Sequence, residues 1–236
     1  MADRLHLVAL QPKFPALLDL VRSASVFRDR KSPMSDRVHL VNPKVTHSNL
    51  AVVVGNNSSG KSVLRRQMQE ECNRHDFETL DLSMELRSHE DSEFRGEYYG
   101  NEEVLSTGVI SISSVLRLIS TSRNEKRKHV IMLDEPDVGL SDEVAAGVGV
   151  ELANYLTKPS SNLVGALLIT HRRAMLDVLL DLAPSVVFIG PKEDAPVSLN
   201  AWNTRKIVPQ NPRAVIEAGV SLWNDMTDYT TKSSKK

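Results

Sequence analysis

At positions 52–62 the chain reads Val-Val-Val-Gly-Asn-Asn-Ser-Ser-Gly-Lys-Ser. The apolar run is typical of a buried strand, the residues after it fit the pattern G-x-x-x-x-G-K-S, and residues 63–73 have helical character. Gly55 and Gly60 carry no Cβ, so the backbone of this segment can wrap closely around a ligand. We call residues 55–62 the glycine-rich loop, and its position between a strand and a helix decides the fold that we expect.

The glycine-rich loop has the chemistry of a phosphate-binding site. Its N–H groups, and those that open the following helix, would point at an anion with the helix dipole behind them. Lys61 is expected to reach the β- and γ-phosphates of a nucleotide, and the Ser62 hydroxyl is expected to bind Mg²⁺. We therefore interpret the loop as the phosphate-binding loop of a nucleoside triphosphatase rather than as a Gly/Ser-rich surface turn.

Length and composition fit a soluble globular protein. The 236 residues are 41% hydrophobic and 25% charged, and the net charge of -1 gives no overall basic field for nucleic acid. The single cysteine, Cys72, excludes an internal disulfide and fits a reducing cytosol. We expect one domain over residues 1–229, a disordered tail at 230–236, a cytoplasmic location and no membrane association, because no apolar run is long enough to span a bilayer.

The periodicity of the chain predicts an α/β fold in which a mostly parallel sheet carries helices on both faces. Strands are predicted at 38–41, 49–54, 77–86, 130–133, 163–169 and 186–189, with a weaker candidate at 5–10. Helices are predicted at 63–73, 106–119, 142–156, 172–182 and 212–226, a short helix or a turn at 16–26, and surface loops at 87–103 and 122–129. In such sheets ligands bind at the carboxyl ends of the strands, where Gly55, Asp134 and His171 fall.

Two of the predicted helices carry more specific expectations. Ser106 stands where the N-cap of the first should be. The apolar face of that helix is predicted to consist of Val109, Ile112, Val115, Leu116 and Ile119. The second, at 212–226, is expected to close the domain with Trp223 packed inward.

A second motif narrows the class of nucleotide-binding protein. Four apolar residues at 130–133 end in Asp134 and Glu135, so a buried strand is predicted to deliver two carboxylates to the ligand edge of the sheet. Asp134 is expected to hold Mg²⁺ opposite Ser62. Glu135 is expected to polarise the water that attacks the γ-phosphate.

Together these motifs resemble those of the ABC ATPase superfamily over roughly residues 50–189. The glycine-rich loop has the favoured Asn57 and Ser59, and Leu105-Ser106-Thr107-Gly108-Val109 resembles the family's Leu-Ser-Gly-Gly-Gln signature. Gly139-Leu140-Ser141-Asp142 resembles the loop that follows the carboxylates, and His171 matches the switch histidine. The resemblance implies an ABC-type nucleotide-binding domain with a P-loop NTPase fold.

The resemblance also implies the cofactors, the partners and the site residues. ATP and Mg²⁺ would lie between two domains packed head to tail, in a homodimer or a heterodimer. Lys61, Glu135 and His171 would be catalytic, Ser62 and Asp134 would hold Mg²⁺, and Asp142 would signal across the interface. ATP would be bound by Gly55, Asn57, Ser59, Gly60, Lys61, Ser62 and Val63 of one subunit, and by Ser106 and Gly108 of the other.

Several features depart from the family pattern. The interval from Lys61 to Ser106 is too short for the helical subdomain of transporter motors or for long coiled-coil arms, so a reduced helical subdomain is expected. No glutamine occurs between Gln69 and Gln210, and Asp81, Ser83 or Glu85 is the candidate replacement for the glutamine that contacts Mg²⁺. Phe27 is a candidate for stacking on adenine, although it could equally be a core residue.

These observations favour an ATPase that dimerises around ATP and drives or gates an unidentified partner protein, most plausibly in DNA metabolism or anti-phage defence. One alternative is the nucleotide-binding subunit of a membrane transporter, and another is a slow-turnover regulatory or scaffold protein. The basic residues at 122–128 are too few to predict a nucleic-acid groove, so contact with nucleic acid stays open.

Overall fold

The computed structural model describes residues 16–41, 47–83 and 106–233. These residues build one six-stranded sheet with the spatial order β1-β6-β2-β5-β4-β3. The strands are β1 (Val38–Val41), β2 (His47–Val54), β3 (Glu78–Ser83), β4 (His129–Asp134), β5 (Leu163–Ile169) and β6 (Pro184–Ile189). Neighbouring strands are parallel except β1 and β6, which are antiparallel, so the predicted α/β class and mostly parallel sheet are confirmed.

Of the α-helices in the described ranges, four lie in the connections between strands, two precede β1 and two follow β6. They are α1 (Leu17–Ser23), α2 (Ser25–Arg28), α3 (Lys61–Arg74), α4 (Thr107–Asn124), α5 (Asp142–Thr157), α6 (Arg173–Leu179), α7 (Leu199–Thr204) and α8 (Pro212–Ser233). Short 3₁₀ helices lie at Leu180–Leu182 and Lys192–Asp194. Among the described helices, none is both long enough and apolar enough to cross a membrane.

The sheet separates two hydrophobic layers, because successive strand side chains point to opposite faces. On β2, Val52 belongs to the layer covered by α4, α5 and α6, whereas Val53 belongs to the layer covered by α1 and α3. The carboxyl ends of the parallel strands β2, β4 and β5 lie at one edge of this helix-covered sheet. Asp134 is the last residue of β4, and the glycine-rich loop and His171 follow β2 and β5, as the sequence predicts.

The predicted apolar face of α4 is wrong at two positions. Val109 and Leu116 are 43% and 45% exposed, whereas Ile110 and Leu118 are buried with Val115 and Ile119. The buried face also contains serines, which a search for apolar periodicity passes over. Ser111, for example, donates a 2.8 Å hydrogen bond to the carbonyl oxygen of Val138, so its hydroxyl is satisfied inside the protein.

Two segments of the sequence prediction also change at their edges. The loop expected at 122–129 is shorter, because Ser122 is a buried residue of α4 and His129 is the buried first residue of β4. Helix α8 continues beyond residue 226 and includes 230–233, the first part of the predicted disordered tail. The expectations for residues 5–10, 87–103 and 234–236, and for Glu85 and Leu105, fall outside the described residues.

The inward packing predicted for Trp223 is wrong. Its side chain is 60% exposed, and the half-buried face of α8 instead carries Val215, Gly219, Leu222, Met226 and Tyr229. These residues recur every three or four positions, which is the spacing of one helix face. Trp223 lies beside that face, and this places its ring on the wall of the pocket described below.

Candidate functional site

The glycine-rich loop joins β2 to α3 at the edge of the sheet where β2, β4 and β5 end. Gly60 is the N-cap of α3 and has a φ of 108°, a backbone conformation that residues with a Cβ rarely adopt. Gly55 is needed for a different reason, since a Cβ there would collide with the carbonyl oxygen of Ile189 at the end of β6. The two glycines therefore let the loop turn back closely over the sheet before the helix begins.

Lys61 folds back into the loop. Its Nζ donates hydrogen bonds to the carbonyl oxygens of Asn56, at 2.8 Å, and Gly55, at 3.3 Å. Burial lowers the pKa of this amine to about 8, even though the negative charges of Glu135 and Asp134 act in the opposite direction. The loop thus holds a poorly solvated cation, which favours the approach of an anion.

The glycine-rich loop also contains an unsatisfied hydroxyl. Within the part of the chain that the structure describes, the buried Ser59 Oγ has no hydrogen-bond partner. Ser62, three residues later, is exposed at the first turn of α3. Because buried polar groups are normally hydrogen-bonded, Ser59 marks a place where a polar ligand atom would be accommodated.

The two carboxylates predicted from the sequence stand side by side at the end of β4. Burial raises the pKa of Asp134 to about 6, although the Arg65 guanidinium opposes the shift. Glu135 has a φ of 52°, in the left-handed region, and its N–H donates to the carbonyl oxygen of Ile169 at 2.9 Å. This sharp turn directs the chain away from the sheet immediately after the strand delivers Asp134.

Arg65 of α3 links this carboxylate to the next strand. The guanidinium is buried and lies 2.5 Å from the Asp81 carboxylate and 3.5 Å from that of Asp134. The amide of Gln69 also donates to Asp81. Asp81, one of the candidates for replacing the missing glutamine, is therefore engaged by α3, while Ser83 lies beside Asp134 in the register of the two strands.

His171 follows β5 and faces the second carboxylate. Its Nε2 is 3.8 Å from Glu135 Oε1, which is beyond hydrogen-bond distance. Burial, followed by the positive charges of Lys61 and Arg205, lowers the pKa of His171 to about 4. The imidazole is neutral at pH 7, so the contact with Glu135 is not an ion pair.

A polar chain connects the neighbourhood of His171 with Asp142. Thr170 Oγ1 lies 3.0 Å from both carboxylate oxygens of the buried Asp137. Arg172 places its Nε 3.6 Å from Asp137 and its Nη1 3.2 Å from Asp142. The residues on either side of His171 are thereby tied to the loop that follows the carboxylates.

A pocket of about 780 Å³ brings together the functional groups of the glycine-rich loop and the two carboxylates at the end of β4. Its polar part is formed by residues 57–62, Asp134 and Glu135, and Val63, Arg66, Gln67 and Glu70 of α3 extend it. Its other wall belongs to α8 and consists of Gly219, Leu222, Trp223, Met226, Thr227 and Thr230. Ser58 Oγ donates to the carbonyl oxygen of Val215 at 2.9 Å, which fastens the glycine-rich loop to α8.

Gly55 and His171 do not line this pocket, although His171 lies beside Glu135. Three further residues named from the sequence lie elsewhere. Ser106 is the exposed N-cap of α4, where its Oγ accepts from the Val109 N–H at 3.5 Å. A Cβ added to Gly108 would lie 2.8 Å from the carbonyl oxygen of Gly139, so this glycine permits close packing of α4 on that loop. Neither residue lines the pocket of its own chain, and Phe27 packs against the layer under α1 and α3 instead.

Sequence reasoning did not assign roles to Arg65, Arg205 or the wall from α8. Arg65 stands between Leu64 and Met68 on the buried face of α3, and a charged residue at such a position is a signal for a buried ionic partner. The α8 wall carries no such signal, because its contact with the glycine-rich loop joins residues that are far apart in the chain.

No protein-family model matches the chain, and neither does any curated protein. The function is therefore inferred from the site.

Proposed function

We propose that this protein is an ATPase with a P-loop NTPase fold of the ABC type, and that it binds ATP and Mg²⁺ in the pocket between the glycine-rich loop and α8. The observation that carries the proposal is the convergence of Lys61, Ser62, Asp134 and Glu135 on one pocket. A buried ammonium, an exposed hydroxyl and two carboxylates at the carboxyl edge of a parallel sheet are the groups that phosphoryl transfer requires. With ATP as its substrate, the protein would act in the cytoplasm.

The residues of the loop fit a chain of phosphates. In the proposed complex, Gly55, Asn57, Ser59, Gly60 and Val63 contribute backbone or side-chain contacts, and Lys61 exchanges its two carbonyl partners for phosphate oxygens. The unsatisfied Ser59 hydroxyl gains a partner in the same exchange. Such an exchange is favourable because the ammonium is attracted more strongly to a negatively charged phosphate oxygen than to a neutral carbonyl oxygen.

Ser62 and Asp134 are the residues that would hold Mg²⁺. In the described part of the chain, no cluster of three or more His, Cys, Asp or Glu side chains is arranged to hold a metal, so the ion would share its coordination with phosphate oxygens and water. When bound, Mg²⁺ supplies positive charge that neutralises the phosphates. Arg65 keeps the Asp134 carboxylate in place beside Ser83.

Glu135 and His171 are assigned to the chemical step. The Glu135 carboxylate would accept a proton from the attacking water, and the neutral His171 imidazole would donate its N–H to a phosphate oxygen. Thr170 and Arg172 hold the backbone around His171 through Asp137. Asp142 lies at the other end of this series of polar contacts, where it would respond to a change in the position of His171.

The proposal includes dimerisation around ATP, either of two identical subunits or of two different ones. Ser106 and Gly108 stand at the N-terminus of the 18-residue helix α4 and outside the pocket of their own chain. A helix N-terminus attracts anions, so each subunit would present this end to the phosphates bound by the other. The biological role that we favour is driving or gating a partner protein in DNA metabolism or defence.

Phosphate release with Mg²⁺ and ATP tests the proposal directly. We expect turnover by the wild-type protein, loss of ATP binding in Lys61→Ala, and ATP-dependent dimers without turnover in Glu135→Gln. Lys158→Ala is the matched control, because this lysine is exposed at the end of α5. A wild-type protein that fails to bind ATP would overturn the proposal, and tight binding without release would favour the nucleotide-gated scaffold. Co-purification with a membrane permease would favour the transporter subunit.

A further inference from the structure

The pocket is elongated along α3. Its lining continues from Lys61 through Val63 and Arg66 to Glu70, and at about 1.5 Å per residue this stretch of helix spans roughly 13 Å. Helix α8 follows the same course. The carbonyl oxygen of Val215 accepts a hydrogen bond from Ser58 of the glycine-rich loop, whereas Trp223, further along α8, lies beside Arg66.

The character of the wall changes along this course. At the loop, the lining offers N–H groups, the Lys61 ammonium and the two carboxylates, all of which suit phosphates and a metal ion. On the α8 side, Leu222, Trp223 and Met226 form an apolar stretch of the wall, and Thr227 and Thr230 continue it. A nucleoside triphosphate has the same division, because its ribose separates a charged phosphate chain from a flat, weakly polar base.

Trp223 has the properties of a stacking surface. Its side chain is 60% exposed although it lines the pocket, so much of the ring is open to a ligand. The Arg66 guanidinium lies over one face of the ring, 5.7 Å from its centroid, so a base would stack on the opposite face. Phe27, the candidate chosen from the sequence, does not line the pocket, and Trp223 is the one aromatic residue among the described residues that line it.

We propose that the base of the bound nucleotide stacks on Trp223, so that α8 supplies the base-binding wall of the site. The inference rests on the proposed function, because it takes the phosphates to lie in the glycine-rich loop. Stacking on an aromatic ring contributes substantially to base binding and uses the face that every base presents. Trp223 is thus a ligand-contacting residue on the last described helix, far in sequence from the loop that holds the phosphates.

The test compares ATP with inorganic tripolyphosphate, which has the charges but no base. We expect Trp223→Ala to weaken ATP binding about tenfold and to leave tripolyphosphate binding within about twofold, as measured by titration calorimetry with Mg²⁺. Trp223→Phe keeps a ring and should retain most of the ATP affinity. Ile216→Ala is the matched control, since Ile216 is 65% exposed on the same helix and does not line the pocket.

Tryptophan fluorescence gives an independent readout. The chain has two tryptophans, and Trp202 is buried with 5% exposure, so a signal that responds to ligand should come from Trp223. ATP should change the emission of the wild type, tripolyphosphate should change it much less, and the response to ATP should vanish in Trp223→Phe.

The outcomes separate the two proposals. If Trp223→Ala weakens ATP and tripolyphosphate equally, or weakens neither, the base does not stack on Trp223 and the inference is wrong. Loss of tripolyphosphate binding in Lys61→Ala would still support the phosphate site in that case. If the wild type binds neither ATP nor tripolyphosphate, the proposed function is wrong, and so is the proposal that the base stacks on Trp223.

Discussion

The Nε of Arg65 lies 3.5 Å from the carboxylate of Asp134, and both side chains are largely enclosed by the protein. The same guanidinium contacts Asp81 on the neighbouring strand, so one cation from α3 serves two acidic side chains. The contact therefore joins the helix that starts at the loop to the strand that ends in the carboxylates. Loop and carboxylates are held as one unit even before a ligand is considered.

Removing this cation should be strongly destabilising. In Arg65→Met the buried carboxylates lose their shared partner, and breaking a buried ion pair typically costs about 3–5 kcal/mol. We expect a fall in melting temperature of roughly 6–20 °C for a domain of this size. Arg22→Met is the control, because the Arg22–Asp19 pair is more than half exposed and should contribute at most about 1 kcal/mol. Equal losses in the two variants would contradict the structural role of Arg65.

Protonation of Asp134 should stabilise the ligand-free protein. Its pKa is raised from the usual 3.8 to about 6, so the folded state binds a proton more tightly than the unfolded state. The free energy of unfolding should therefore rise as the pH falls from 7 towards 4, by at most about 3 kcal/mol from this group. Asp134→Asn should lack that rise and should be more stable than the wild type at pH 7.

The pH experiment needs a second variant because His171 acts with the opposite sign. The pKa of this imidazole is lowered from 6.5 to about 4, so its contribution to stability is lost as the pH falls through that window. Urea unfolding of wild type, Asp134→Asn and His171→Gln at several pH values separates the two groups. If the free energy of unfolding depends on pH in the same way in wild type and Asp134→Asn, protonation of Asp134 does not stabilise the folded protein.

The affinity for triphosphates should fall at alkaline pH. The amine of Lys61 has a pKa of about 8 in the free protein, so above that value it must regain a proton before it can pair with phosphate. We expect the affinity for tripolyphosphate to decline by up to about tenfold per pH unit between pH 8 and 10. In Lys61→Arg the guanidinium stays charged over this range. The affinity of this variant for tripolyphosphate should therefore not change between pH 8 and 10, whatever its value at pH 7. A flat wild-type profile would show that Lys61 does not bind the ligand.

Two helical glycines should respond to alanine in opposite directions. Gly147 of α5 is exposed, and a Cβ there would meet no atom within 4 Å, so Gly147→Ala should stabilise the protein by about 0.5–1 kcal/mol. Gly108→Ala should instead be destabilising by about 1–3 kcal/mol, since its Cβ would press on the Gly139 carbonyl oxygen at 2.8 Å. Chemical denaturation measures both changes. A stabilising Gly108→Ala would mean that α4 does not pack closely on that loop.

Much of the fold could be predicted because its signals are local. The apolar run before Asp134 and the sequence of the glycine-rich loop each contain their own strand and turn information, so their positions at one sheet edge follow from the parallel arrangement. The errors arise where the decisive contact is distant in sequence. Inward packing of Trp223 is predicted from its place on a helix that closes the domain, but its environment depends on how α8 packs against the glycine-rich loop.

Buried polar residues account for the other differences. The apolar residues of α4 alone do not reveal that serines such as Ser122 are buried. The face predicted from the apolar residues is therefore shifted towards Val109. Ser122 is satisfied by His129 at 2.6 Å and by the Tyr155 hydroxyl at 2.5 Å, and neither partner can be deduced from α4 alone. Arg65 is a similar case, because its partners lie on two strands.

The bond between Ser58 and Val215 joins positions that are 157 residues apart. At a synthesis rate of about 5–20 residues per second, Val215 leaves the ribosome roughly 8–31 s after Ser58. Throughout that interval the growing chain carries the glycine-rich loop without its outer wall. Assembly of the pocket is therefore a late step during translation, because α8 is synthesised long after the glycine-rich loop.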